Sequence, residues 1–168
     1  LNALKCYYED SSFIFPFQIL ATSSYMREAI KSHEKCDQSS YWISERNILT
    51  AEKIFVMAQQ ELGKLTIEEV AIHEYLTSTF IDLHPELIEF DYVIYLKTPP
   101  NICFESVQNR KRVGEFDSLM KEYLQLLDDL YEEWSCSNFA PLKGRKYIEL
   151  DRQLPTRILV EELCEKLN

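Results

Sequence analysis

The chain has 168 residues, 46% of them hydrophobic and 12% aromatic, enough apolar mass for one continuous core and too much for a disordered segment. Its 28 acidic against 18 basic residues give a formal charge of -10, which argues against nucleic acid or an anionic membrane as partner and makes any anion site local. Five cysteines without a CxxC pair favour reduced thiols in an intracellular setting, cytoplasm or mitochondrion, and no apolar run reaches the roughly 18 residues of a membrane span.

The first residues already read as helix, so an upstream portion is expected before Leu1. A helix follows over about 16–34, with Pro16 in its first turn and Gln18, Ala21 and Tyr25 on one face. Tyr41-Trp42-Ile43-Ser44 predicts a short buried strand that ends at the charged pair Glu45-Arg46. From Asn47 onward Ala51, Phe55, Ala58 and Leu62 recur at helical spacing until Gly63, a C-terminal stop. Thr66 and Glu69 form a capping-box pattern opening a helix to about Leu83. Residues 91–96 predict a central strand apolar on both faces, ended by Pro99-Pro100. A helix over about 100–110 leads into Arg110-Lys111-Arg112, and after Gly114 a longer one carries Leu119, Tyr123, Leu126, Leu130 and Trp134 on one stripe. Residues 146–150 predict a last strand, and Thr156 opens a terminal helix with Leu159, Leu163 and Leu167 in register.

Strands alternating with helices imply an α/β fold with a parallel sheet, whose ligands sit beyond the C-terminal ends of the strands. Glu45-Arg46 falls there. Alone, such a pair is common on surfaces, and Arg110-Lys111-Arg112 alone reads as a solvated charge run. His33 and Cys36 lie close but no second ligand pair follows, and His73 and His84 stand apart, so no metal centre is expected from them. Neither a Gly-x-Ser-x-Gly elbow nor a dinucleotide-binding glycine fingerprint is present, which removes hydrolase and dehydrogenase readings.

Taken together, Tyr7 with Pro16-Phe17-Gln18, Glu45-Arg46 after a strand, and the stretch from Arg110 to Glu115 resemble the deoxynucleoside kinases of the insect multisubstrate, mitochondrial thymidine, deoxycytidine and deoxyguanosine types. The resemblance covers almost the whole chain, 1–168, and implies a P-loop-kinase-like parallel sheet flanked by helices. It implies that Gln18 reads the base through its carboxamide, which offers both a donor and an acceptor. Phe55 then stacks on the base, and Phe13, Phe17, Ala21, Tyr25 and Ala51 line the pocket. Arg46 steadies the 5′ end of the nucleoside, and Glu45 helps to hold Mg²⁺, a hard ion that favours oxygen ligands. Asn47 replaces the serine that follows Glu-Arg in the family. Tyr7 and Glu115 grip the sugar 3′-hydroxyl, and Arg110 and Arg112 close over the triphosphate of ATP, while Ser106 stands where relatives often carry another lid arginine. Relatives that prefer deoxycytidine or purines have Arg and Asp where this chain has Tyr25 and Ala51, which implies a thymidine or broad pyrimidine preference. A homodimer joined through long helices is likewise implied.

One family part is absent. A P-loop reads G-x-x-x-x-G-K-[ST], and glycines 63, 114 and 144 cannot form one. The loop, its strand and the glutamate that acts as general base are expected upstream of Leu1. Without that strand, those near 43 and 93 would lack their shared neighbour. The alternative is a degenerate, non-catalytic relative with a binding or structural role, as in the accessory subunit of mitochondrial complex I that shares this kinase fold.

Overall fold

Pro16 lies in the first turn of a long helix, where a missing backbone N–H costs nothing. In the computed structural model, which describes residues 3–35, 42–110, 121–136 and 146–167, this helix is α2 (Ile14–Lys35), preceded by α1 (Ala3–Glu9) and a 3-10 turn (Ser11–Phe13) capped by Asp10. Its buried residues are Ile14, Gln18, Thr22, Met26 and Ala29, a stripe close to every fourth residue. Gln18 is therefore central to the buried face, whereas Ala21 and Tyr25, expected on the same face, sit half-buried at its edge.

The helix expected from Asn47 to Gly63 forms, but in three parts: α3 (Ile48–Thr50), a π-helical stretch (Ala51–Val56) and α4 (Met57–Glu61). Gly63, at φ 65°, takes the left-handed conformation that ends α4, and its N–H donates to the Gln60 carbonyl at 2.8 Å. The Thr66–Glu69 capping box is present in both directions, at 2.8 and 3.2 Å, and opens α5 (Ile67–Leu83). A 3-10 turn (Pro85–Ile88) leads to β1 (Tyr92–Lys97), and then come α6 (Pro100–Arg110), α7 (Lys121–Cys136), β2 (Lys146–Asp151) and α8 (Thr156–Leu167). Leu119 lies outside the described residues.

β1 and β2 pair in parallel, with Tyr92 opposite Lys146 and Lys97 opposite Asp151. Ile148 and Leu150 of β2 pack against Leu159 and Leu163 of α8, so the terminal helix covers that part of the sheet. Two expectations are corrected here. Trp42–Ser44 form no strand, and Ile43 is 88% exposed, because no neighbouring strand among the described residues offers a ladder to pair with. β1 is also not covered on both faces: α8 packs on Ile148 and Leu150 of β2, while Ile94 and Leu96 remain 41% and 49% exposed.

Two further clusters hold the helices. Ile14 and Val56 meet Leu65 and Val70, which fastens α2 and the π-helical stretch to the start of α5. Ile54 and Ala58 meet Leu130 of α7, with Phe55, Tyr123, Leu126 and Trp134 packed around them. The predicted stripe of α7 is thus the face that docks on the π-helical stretch. At about 25 cal/mol per Å² of apolar surface removed from water, these contacts supply the main drive for folding this region.

Candidate functional site

Arg46 has φ 66°, the left-handed conformation that side chains rarely adopt, so the backbone turns sharply just before α3. The Ser44 hydroxyl donates to the Arg46 carbonyl at 2.7 Å and steadies the turn. Asn47 then caps the helix: its side chain accepts from the Thr50 N–H at 3.0 Å, and its own N–H donates to Thr50 Oγ1 at 2.9 Å. Asn and Ser are near-equal as N-caps, which gives the Asn at this position a physical rationale. The cap fixes where Arg46 emerges, and its guanidinium lies over the Phe55 ring, 4.7 Å from the centroid.

Phe55 reaches that place from the π-helical stretch, whose extra residue per turn re-aims side chains and recurs at functional sites. Ala51, 1% exposed, opens the same stretch. On α2, which packs against this stretch through Ile14 and Val56, Gln18 is only 4% exposed.

Behind these groups lies a closed polar layer. Thr22, one turn after Gln18, bonds His73 Nε2 of α5 through its hydroxyl at 2.8 Å. One turn further along α5, the Thr77 hydroxyl donates to the Glu52 carboxylate of the π-helical stretch, and Glu52 also pairs with Lys53 at 2.5 Å. Thr22, His73 and Thr77 are each 0% exposed, so this layer ties α2, the π-helical stretch and α5 together without solvent. Burial lowers the His73 pKa below the ordinary imidazole value, and the nearby Glu52 only partly opposes it.

A second polar contact joins α1 to α7. Tyr7 packs on Phe17 with ring centroids 4.6 Å apart, and its phenol meets that of Tyr123. Burial first, and the Tyr123 phenol second, push the Tyr7 pKa far above the ordinary phenol value. Gln59 Nε2 donates to the Tyr123 oxygen at 3.3 Å.

Comparison with known proteins places this geometry. The sequence model described as Deoxynucleoside kinase matches residues 2–161. The chain belongs to the deoxynucleoside kinase family. It is 29% identical over 134 residues to the fowlpox virus (strain NVSL) protein named probable deoxycytidine kinase, covering 80% of this chain and 55% of that protein. It is 28% identical over 135 residues to mitochondrial thymidine kinase 2 of Macaca fascicularis, covering 79% of this chain and 48% of that one. The chain therefore spans about half the length of these relatives. A solved deoxyadenosine kinase from M. mycoides with bound dCTP superposes with a TM-score of 0.74 at 22% identity, over 99% of this chain and 80% of that one, which shows the α/β kinase fold.

Within this family member the expected site residues fall into three groups. Arg46 and Phe55 meet at the π-helical stretch that Ala51 opens, Tyr7 of α1 packs on Phe17 of α2 with Phe13 in the 3-10 turn between these helices, and Gln18 lies on the buried face of α2. Glu45 is exposed, and Arg110 is exposed at the end of α6. Arg112 and Glu115 lie outside the described residues. Ser106 donates its hydroxyl to the Ile102 carbonyl of its own helix at 2.9 Å.

Among the described residues no cluster of three acidic, histidine or cysteine side chains could cage a metal. A lone exposed carboxylate at Glu45 still fits Mg²⁺, which usually keeps several waters and takes one or two carboxylates plus phosphate oxygens. Glu45 would be the residue of this chain to hold it, and the ion would neutralise phosphate charge.

Sequence reasoning missed Thr22, Glu52, His73 and Thr77, together with Gln59 and Tyr123 as polar groups. Thr22 stands four residues from Gln18, and His73 and Thr77 are four apart on α5, so a helical wheel weighted for polar residues carries part of that signal.

Proposed function

We propose that this chain carries the nucleoside-binding part of a deoxynucleoside kinase, which transfers the γ-phosphoryl group of ATP to the 5′-hydroxyl of a deoxynucleoside in nucleotide salvage. The observations that carry the reading are Gln18 buried on α2 and, on the π-helical stretch that α2 packs against, Phe55 with the Arg46 guanidinium over its ring. The Gln18 carboxamide suits the donor-and-acceptor edge of a base, and Phe55 offers a stacking face. A nonpolar residue would pack this position better if nothing bound there.

In the reaction the 5′-oxygen attacks the γ-phosphorus as the bond to the bridging oxygen breaks, ADP leaves, and the hydroxyl proton passes to a base. By resemblance that base is a glutamate of the expected upstream segment. Arg46 places positive charge at the 5′ end of the nucleoside, and Arg110 and Arg112 add more over the triphosphate, which favours the loose, in-line transition state. Ala51 and Tyr25, in place of the Asp and Arg of deoxycytidine- and purine-preferring relatives, favour thymidine or another pyrimidine. The exposed apolar residues of α5, Ile67, Ile72, Tyr75 and Leu83, support a homodimer through this helix.

Phosphorylation assays with Mg-ATP and each of the four deoxynucleosides test the reading, on this chain and on a version extended upstream. The expected result is turnover of thymidine or deoxycytidine above the purines, lost on Arg46→Ala. A folded, extended protein that phosphorylates none of the four overturns it and leaves a binding or structural role.

A further inference from the structure

Resting on the reading that a planar base enters this site, we propose that Phe55 is also a positioning residue for Arg46. In the unliganded protein its open face seats the guanidinium, and a stacking ligand takes that face and releases the charge for phosphoryl transfer.

The geometry begins with the backbone. Arg46, at φ 66°, is held on both sides: the Ser44 hydroxyl donates to its carbonyl at 2.7 Å, and the Asn47 side chain that follows accepts from the Thr50 N–H at 3.0 Å. The turn is thus a fixed post, and the long Arg46 side chain changes place by rotating about its own bonds. Phe55 is half-buried and packs against the cluster of Ile54, Ala58 and Leu130, which braces the ring against α7. The guanidinium lies over the ring, 4.7 Å from its centroid, and Arg46 is exposed. The face that it covers is therefore the one that looks toward solvent, and a planar ligand arriving from solvent meets Arg46 before the ring.

A ring stacked on that face and a guanidinium this close to its centroid need the same space. A cation over an exposed ring is favoured by about two- to fivefold, and an aromatic stack on the same face is favoured by a similar factor. Neither occupant wins by a wide margin, so the face passes to the ligand when it binds and returns to Arg46 when it leaves. The Arg46 charge is withheld while the site is empty and set free once a base is seated. A purely structural role for Phe55 predicts no change at Arg46 when a ligand binds.

The test follows the Arg46 side chain by NMR in the full chain, its signals identified by their loss in Arg46→Ala. Protons over a ring face are shielded, so in the free protein the Arg46 δ-methylene signal should lie upfield of those of the other arginines. Phe55→Leu should abolish that shift, Phe55→Trp should keep it, and saturation with thymidine should remove it. A second arm uses 5′-deoxythymidine, which stacks but offers Arg46 no 5′-hydroxyl in return. Calorimetry should show Arg46→Ala binding it about two- to fivefold more tightly than the native protein does, because the competitor for the ring is gone. No upfield shift in the free protein overturns the proposal, as does unchanged or weaker binding of 5′-deoxythymidine by Arg46→Ala. A shift that survives saturation with thymidine also overturns it and leaves the deoxynucleoside reading standing. A protein that shows the shift but binds no deoxynucleoside defeats that reading and the exchange with it.

Discussion

In the layer between α2, the π-helical stretch and α5, Thr22, His73 and Thr77 are 0% exposed and hydrogen-bonded, whereas on the sheet Ile94 and Leu96 are 41% and 49% exposed and Ile43 beyond it 88%. The first region is closed, and the groups around it are those proposed to read a nucleoside. The second is open along β1 and at the Glu45-Arg46 turn, whose two residues are those proposed to act in phosphoryl transfer. The contrast separates two tasks. In the proposed function, nucleoside recognition falls to the helical region, whose contacts lie among the described residues, and phosphoryl transfer falls to the exposed Glu45-Arg46 turn.

The largest effect that can break this division is on turnover. Arg46→Ala in a protein with kinase activity should lower kcat by about 100- to 1000-fold, as removal of a charge that stabilises the transition state does, with Tm nearly unchanged because Arg46 is exposed. A matching loss of stability would show that Arg46 belongs to the closed layer after all.

Next comes the closed layer itself. Thr77→Val removes the hydroxyl that donates to the buried Glu52 carboxylate, and loss of such a bond to a charged group should cost about 2 kcal/mol. For a chain of this size that lowers Tm by about 4–8 °C in a thermal melt. Thr22→Val, which orphans His73 Nε2, should cost about 1–2 kcal/mol.

The layer also has a pH signature. His73 has a folded-state pKa below its unfolded value, so the unfolded chain takes up the proton first as pH falls. The stability tied to the neutral ring is fully present above about 6.5 and is lost progressively as pH drops from there toward the folded-state value. Melting curves between pH 7.5 and 5.5 should show Tm falling, with a shallower slope in His73→Gln. Equal slopes would mean that the ring is not buried as a neutral group. Smallest of all, Leu96→Thr on the open face of β1 should change stability by less than about 0.5 kcal/mol in urea unfolding of this chain.

Which features could be read from the sequence follows from how local they are. The Thr66–Glu69 cap, the Gly63 stop and the α7 stripe depend on residues within a turn or two of one another, and each formed as expected. The strand at 41–44 had the right composition, but a strand exists only beside another, and its neighbour is not among the described residues. The Thr22–His73 bond spans 51 residues and the Thr77–Glu52 bond 25, so neither follows from spacing along the chain. The π-helical stretch was hidden because Ala51, Phe55 and Ala58 satisfy an ordinary helical period as well. In the candidate site, Gln18, Arg46 and Phe55 were identified through a family pattern, and the meeting of Arg46 with Phe55 is a property of the fold.

The claim on which the rest depends is the proposal that Gln18 reads a base. Calorimetric titration of the purified protein with thymidine, deoxycytidine, deoxyadenosine and deoxyguanosine, repeated with Gln18→Leu, tests it directly. The account predicts tighter binding of a pyrimidine deoxynucleoside than of either purine, weakened about 100-fold by the substitution because the polar edge of the base is left unpaired. Unchanged affinity in Gln18→Leu, or no binding of any of the four by the native protein, would contradict it.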